Sequence, residues 1–287
     1  MMRPTYLTEA AISQFIRSAL AEDIGEGDHS TLATIPSGKK SKAKLLVKDN
    51  GMLAGVELAE TIFHEVDSSL QLTVFKNDGD LISKGDVAFE VNGSAQAILS
   101  AERLVLNCMQ RMSGIATKTN HLSRLIEGTS AKLIDTRKTT PNFRMMEKWA
   151  VAIGGGKNHR FALYDMILLK DNHIDVAGGI SLAVASAVDY LKKKNKKLSI
   201  EVETRNLKEV QEALNTKAVD IILLDNMSVE EMKEAVKLIN GKCKTEASGG
   251  ITEANLRSIA ECGVDYISMG ALTHSVKSLD LSLKIFE

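Results

Sequence analysis

Hydrophobic positions fall along this chain in two different rhythms. In the first part, Ile12, Phe15, Ile16 and Leu20 recur at helical spacing, and Gly25 is placed to stop that helix. Strand-like runs follow at 42–49 (KAKLLVKD), 70–75 (LQLTVF) and 86–91 (DVAFEV), with glycine-containing turns between them. A long helical stretch then occupies 96–126.

From residue 131 the pattern changes to strand, polar residue, helix, repeated. KLI ends at Asp135, MILL at Lys170, LSI at Glu201 and Glu203, DIILL at Asp225, CKTEA at Ser248 and DYIS near Gly270. Strand-end positions Glu203, Asp225, Glu246 and Ser268 are separated by 22, 21 and 22 residues. Helix-like segments at 228–239 and 252–263 fill the gaps. A β/α repeat of this length with short turns predicts a parallel α/β barrel. In such a barrel the βα loops converge at the strand C-termini, so the polar residues ending strand after strand share one face.

Composition narrows the class. Net charge is −1 over 287 residues, with ordinary apolar and charged fractions, which argues against a dedicated nucleic-acid surface. The basic run at 191–197 lacks aromatic neighbours and reads as the solvated end of a helix. Cys108, Cys243 and Cys262 are too few and too scattered for a disulfide framework, and they fit a reduced cytoplasm. No apolar run is long enough to cross a bilayer, and the N-terminal residues lack the apolar stretch of a signal peptide. The expectation is a cytoplasmic protein with no membrane partner.

Against that neutral background, residues 137–170 carry seven Lys or Arg (137, 138, 144, 148, 157, 160, 170) with only Glu147 and Asp165 to offset them. Arg offers a planar fork that matches carboxylate or phosphate oxygens, and Lys adds a point charge. The expected ligand is a multiply anionic small molecule. Arg137 and Lys138 follow a strand; a pair of surface cations is the plainer reading, made less attractive by the local charge excess. His159 and Arg160 follow GGGKN, a segment flexible enough to bring backbone close to a ligand. A lone His is more often structural than functional, but this one adjoins an Arg of the cluster. Lys170 ends a strand, so its ammonium needs an anionic ligand or a carboxylate neighbour.

Glu201, Glu203 and Asp225 supply the opposite charge. They can hold Mg²⁺ directly or through its waters, stabilise a cationic sugar-like transition state, or simply pair with the cations. Ser248-Gly249-Gly250 and Met269-Gly270-Ala271 sit at the last two strand ends, where barrels often bind phosphate through backbone N–H groups.

These residues lie in motifs that resemble the quinolinate phosphoribosyltransferase family nearly end to end. They are EDIGEGDHST (22–31), AERLVLNCMQRMSGIAT (101–117), DTRKTTP (135–141), GGGKNHR (154–160), LLKDNHI (168–174), EVE (201–203), LLDN (223–226), ASGGI (247–251) and MGALTHS (269–275). The resemblance implies an α/β sandwich domain (1–115 plus 272–287) and an incomplete, seven-stranded α/β barrel of the type II phosphoribosyltransferase kind (116–271). It implies transfer of a phosphoribosyl group from phosphoribosyl pyrophosphate to quinolinate with decarboxylation, for NAD synthesis. A related transferase acting on another base, of the kind encoded beside molybdate transport genes, is the nearest alternative. A catalytically silent, phosphate-binding barrel is the alternative from another class.

By the same resemblance Arg103, Thr136, Arg137, His159, Arg160 and Lys170 bind quinolinate. Lys138, Glu203, Asp225, Ser248, Gly249, Gly250 and Gly270 face the phosphoribosyl donor. Lys138, Lys170, Glu203 and Asp225 are the expected catalytic groups, with substrate-associated Mg²⁺ near Glu203 and Asp225. The resemblance also implies a homo-oligomer, dimer or hexamer, in which Arg103 reaches into a neighbour's site.

Overall fold

A computed structural model describes residues 4–286. In chain order the elements begin with α1 (Glu9–Ile24), α2 (His29–Thr34), β1 (Lys40–Val47), β2 (Gly51–Met52), α3 (Val56–Val66), β3 (Gln71–Val74), β4 (Leu81–Ile82), β5 (Val87–Ser94) and α4 (Ala95–Leu125). They continue with β6 (Lys132–Ile134), α5 (Arg144–Ile153), β7 (Ile167–Leu169), α6 (Asp171–Ala177), α7 (Ile180–Lys193), β8 (Ile200–Thr204), α8 (Leu207–Asn215) and β9 (Ile221–Asp225). The last are α9 (Val229–Ile239), β10 (Lys244–Ser248), α10 (Glu253–Ala260), β11 (Tyr266–Ser268), α11 (Ala271–His274) and β12 (Leu281–Phe286).

The chain divides into two units, one of residues 1–120, 139–155 and 272–287, the other of 121–138 and 156–271. Compared with the boundaries expected from sequence, residues 116–120 extend the first unit by a few positions, and the larger difference is the segment Thr139–Gly155, which carries α5 and packs with the first unit. The reason lies in α5 itself, which buries Met146, Trp149, Ala150 and Val151 and also Glu147 and Lys148.

In the first unit, an antiparallel sheet has the order β12-β1-β5-β3. β1 pairs on one side with β12, in register Leu45 to Leu283, and on the other with β5. The inward residues Ala43, Leu45, Phe89 and Val91 are fully buried, and Phe89 meets Phe63 of α3 edge to face at 6.0 Å. The helices begin and end where local chemistry requires. Thr8 accepts the Ala11 N–H at the start of α1, and Gly25 ends it at φ +53°.

The second unit holds one parallel sheet of order β6-β11-β10-β9-β8-β7. Strands β7 to β11 lie side by side in chain order, and the first strand, β6, pairs with the last. That is the winding of an α/β barrel left open between β6 and β7. Six strands form, where seven were expected. In place of the seventh, Lys157 makes an isolated parallel bridge to Ile134. Two aspartates staple neighbouring strands at their starts. Asp220 accepts the Ile200 N–H at 2.8 Å, and Asp265 accepts the Thr245 N–H at 2.9 Å. α9 starts at a capping box in which Ser228 and Glu231 accept each other's N–H groups, and Asn240 ends it in the left-handed region.

Strand alternation divides the side chains into two sets. Val202, Ile222, Leu224, Ala247 and Ile267, all fully buried, lie on one face of the sheet. Registers Glu201 to Ile221, Glu203 to Leu223, Glu246 to Leu223 and Ser248 to Asp225 put the polar set on the opposite face. No single helix among the described residues is long and apolar enough to cross a membrane.

Candidate active site

On that polar face a cavity of about 320 Å³ opens at the strand C-termini. It is lined by Thr136, Arg137, Lys138, His159, Arg160, Leu168, Lys170, Leu223, Glu246, Ser248 and Ser268. A larger groove, about 520 Å³, runs along α7 and past the end of α8. Its lining is largely apolar and brings no set of cations together, so the smaller cavity is the chemically equipped one.

Seven of the residues expected at the site line this cavity: Thr136, Arg137, Lys138, His159, Arg160, Lys170 and Ser248. The stretch of seven cations is divided, however. Arg144 and Lys148 belong to α5 in the first unit, where Arg144 donates to Thr139 Oγ1 at 2.9 Å and Lys148 is fully buried. Lys157 lines an adjoining cavity of about 170 Å³ and lies 5.9 Å from the Tyr266 ring centroid. Arg103 is exposed on α4 in the first unit and is not among the lining residues.

The cation positions are set by local bonds. The Thr136 hydroxyl accepts the Lys138 N–H at 3.0 Å, turning the chain directly after β6. Asp135, fully buried, accepts from Asn158 Nδ2 at 2.6 Å and from the His159 N–H at 2.9 Å, which fixes the GGGKNHR loop beside β6. The first glycine of that loop serves packing and the second a turn. A Cβ on Gly154 would collide with Ala116 and Thr119 of α4, and Gly155 adopts φ +91°.

The electrostatics favour an anion. Arg160 is held below the usual arginine range by burial and by the nearby Arg137 charge. Two guanidiniums that repel each other in one cavity are relieved by a ligand carboxylate or phosphate. Beneath them, His159 Nε2 lies 2.8 Å from Glu201 Oε2 and 3.4 Å from Glu246 Oε2. Geometrically the trio is a hydrogen-bonded ion pair with a second carboxylate close by.

Glu201 and Glu203 share a face of β8 but differ in depth. Glu201 is fully buried against His159, whereas Glu203 is half-buried nearer the strand's C-terminal end. Burial raises the Glu203 carboxyl above the usual range, and the neighbouring Asp225 charge adds to this. Its Oε1 accepts the Asp171 N–H at 3.4 Å. Glu203 and Asp225 thus bring two carboxylates close enough to repel each other near the ends of neighbouring strands. At the next strand end, Gly249 and Gly250 adopt φ +85° and +60° and turn the chain beside Asn226. Glu203, Asp225, Gly249, Gly250 and Gly270 do not line the cavity. Two lining residues, Glu246 and Ser268, were visible in the sequence only as members of the repeat spacing, with no role attached.

Comparison with known proteins agrees with this geometry. Residues 28–113 match the family model for the N-terminal domain of quinolinate phosphoribosyl transferase, and residues 115–284 match that for the C-terminal domain. A chloroplastic nicotinate-nucleotide pyrophosphorylase (carboxylating) of Oryza sativa subsp. japonica is 48% identical, over 98% of this chain and 78% of the relative. A probable nicotinate-nucleotide pyrophosphorylase (carboxylating) of Bacillus subtilis is 42% identical, over 96% of this chain and 93% of the relative. The crystal structure of NadC from Streptococcus pyogenes superposes with a TM-score of 0.90 at 39% identity, covering 98% of this chain and 99% of that one. With both domains matched in order along one chain, this protein belongs to the quinolinate phosphoribosyl transferase family.

Proposed function

We propose that this protein transfers the phosphoribosyl group of phosphoribosyl pyrophosphate to quinolinate, releasing pyrophosphate and CO₂ and giving nicotinate mononucleotide for NAD synthesis. The observation that carries the reading is the convergence of Arg137, His159, Arg160 and Lys170 on one cavity sized for a small aromatic acid. Each charge-assisted hydrogen bond contributes about 1.5–3 kcal/mol, so two carboxylates held by four cations orient the pyridine ring strongly.

With the ring so held, its nitrogen attacks the anomeric carbon as the bond to pyrophosphate breaks. The pyridine becomes a cation, and the 2-carboxylate then leaves as CO₂. The electron pair left at that carbon lies beside the positive nitrogen and is quenched by a proton. No covalent enzyme intermediate is required, so positioning and electrostatics supply the rate. Lys138 faces the phosphoribosyl donor, with Ser248, Gly249, Gly250 and Gly270 toward its phosphate. Glu203 and Asp225 stabilise the charge that develops on the ribose. Their mutual repulsion fits a donor-associated Mg²⁺, which when bound offsets the charge of the departing pyrophosphate.

The working assembly is a homo-oligomer, dimer or hexamer, in a cytoplasmic setting. Arg103, exposed and outside the lining of its own chain's cavity, completes the quinolinate site of a neighbour. The assay is purified protein with Mg²⁺, phosphoribosyl pyrophosphate and quinolinate, following nicotinate mononucleotide and CO₂ together. Equal appearance of both is expected. Turnover of another base instead rejects the substrate, and inertness with every base rejects the activity.

A further inference from the structure

Among the cations lining the cavity, His159 is the residue whose charge at neutral pH depends on its surroundings. Those surroundings are specific. Its Nε2 is 2.8 Å from Glu201 Oε2 and 3.4 Å from Glu246 Oε2, and the two carboxylates are 0% and 2% exposed. They come from β8 and β10, on either side of β9, so the sheet brings both to one atom. Glu201 Oε1 accepts no hydrogen bond, which leaves the histidine as the partner that compensates for burying that group.

We propose that Glu201 and Glu246 are positioning residues that hold the His159 imidazole as a fixed cation, with its Nε2–H directed at them, so that the cavity floor presents a permanent positive charge to a ligand carboxylate. The nature of the ligand rests on the quinolinate reading; the charge of the ring does not.

The other charged side chains of the cavity argue that the two glutamates are needed. Arg160 and Lys157 lie in the same loop, and Arg137, Lys138 and Lys170 line the same cavity. All five cations favour loss of the imidazole proton, as does burial. β11 offers Tyr266, and β7 and β9 offer Leu168 and Leu223. Asp135 is engaged with Asn158 and the His159 backbone. Burial lowers the affinity of His159 for its proton, but the hydrogen bond to Glu201 and the nearby Glu246 carboxylate outweigh it and hold the ring above its ordinary 6.5. Burial and the Glu246 charge push Glu201 upward as well, and its bond to the histidine opposes that rise, so the short 2.8 Å contact is the ground for reading the pair as ionic. A neutral ring would turn a lone pair or a single N–H toward the ligand. A clamped cation donates across the whole neutral range.

The test is a pH titration of the full chain labelled with ¹⁵N-histidine, followed by NMR, with His159→Gln used to assign the resonance among six histidines. His159 is expected to stay doubly protonated through pH 8. In Glu201→Gln/Glu246→Gln its midpoint is expected to fall below 6.5, the ordinary value. Quinolinate affinity of that variant, measured by calorimetry, should be weaker by about tenfold at pH 8 and approach wild type at pH 5.5, where the ring is protonated regardless. A wild-type midpoint at or below 6.5, or a midpoint unmoved by the substitutions, overturns the proposal. A uniform loss of affinity at all pH values also does so, because it marks a merely structural role. If the double variant does not fold, Glu246→Gln and the wild-type midpoint decide the same question. A cationic His159 in a protein that binds no quinolinate rejects the substrate and leaves the clamp standing.

Discussion

Glu147 and Arg111 form a two-point ion pair inside the first unit: Glu147 Oε1 accepts from Arg111 Nε at 3.0 Å and from Nη2 at 2.8 Å. The carboxylate is fully buried and its oxygens also accept from the Thr140 N–H at 3.1 Å and the Thr140 hydroxyl at 2.9 Å. Arg111 in turn donates to the carbonyls of Thr273 and Val276. α4, α5, the turn after Thr139 and the segment before β12 therefore meet at one ion pair. Glu147→Ala leaves a guanidinium with half its partners lost, and removing one member of a buried pair costs about 3–5 kcal/mol. Urea denaturation should show a loss of that order. A midpoint unchanged from wild type would mean the pair is not structural.

Gly114 reverses an ordinary rule. Within a helix, Gly→Ala normally stabilises by about 1 kcal/mol. In α4, however, an added Cβ at this position would strike the backbone carbonyl of Lys277 and approach Ser278 Cα at 3.2 Å. Backbone cannot swing aside as a side chain can. Gly114→Ala should instead destabilise by about 1–3 kcal/mol through overpacking. Thermal unfolding of the variant gives the sign directly, and a raised Tm would contradict the close approach.

Much of this was legible in the sequence because it follows from periodicity. The 21- and 22-residue spacing places Asp225 and Ser268 at the last positions of β9 and β11 and Glu203 next to the end of β8, whereas Glu246 falls mid-strand in β10, level with Leu223 and so with Glu203. What was not legible depended on distant packing. Charge density alone grouped Arg144, Glu147 and Lys148 with the anion site, yet α5 carries all three into the first unit. The clamp on His159 was equally hidden. Glu201 and Glu246 are 45 positions apart, and only strand order brings both to Nε2. Gly154, likewise, is explained by a contact with α4 that its own neighbours in sequence do not announce.

Acid stability should depend in part on Asp265. Its carboxylate receives Lys244 Nζ at 2.6 Å, the Thr245 N–H at 2.9 Å and the Thr245 hydroxyl at 3.0 Å. Burial alone would raise its pKa, but these bonds win and hold it below the ordinary 3.8. A folded pKa below the unfolded one means the stabilisation is present above pH 3.8 and is lost as pH falls through the lower folded value. Asp265→Asn should therefore lower stability at pH 7 and shrink its difference from wild type below pH 3. Parallel melting curves across that range check the sign. A gap that widens on acidification would refute it.

Arg137 tests the anion site without disturbing the fold. It stands after β6, in the cavity and outside the cores of both units. Arg137→Ala should weaken quinolinate binding by about a hundredfold, the equivalent of one bidentate charged contact, with Tm and far-UV circular dichroism unchanged. Arg137→Lys should fall between the two, because an ammonium keeps the charge and loses the fork. Near-wild-type affinity of the alanine variant in calorimetry would remove Arg137 from the quinolinate site.

Gly249 separates the two substrates. It adopts φ +85°, and a Cβ there would collide with the Asn226 side chain. Asn226 is itself in the left-handed region. Its N–H donates to the Ser248 carbonyl at 2.9 Å, and its side-chain amide donates to Asp225 Oδ2 at 2.7 Å. Gly249→Ala therefore strains its own backbone by about 1–2 kcal/mol and pushes on the residue that orients Asp225. Arg137, His159, Arg160 and Lys170 lie on other strand ends and loops and feel none of this directly. The expected outcome is a selective defect: KM for phosphoribosyl pyrophosphate up by about tenfold, which corresponds to the same strain energy, with quinolinate Kd unchanged. Steady-state kinetics in phosphoribosyl pyrophosphate, paired with quinolinate calorimetry, reads both. Equal weakening for the two ligands would show that the glycine turn supports the cavity as a whole and not its phosphoribosyl side.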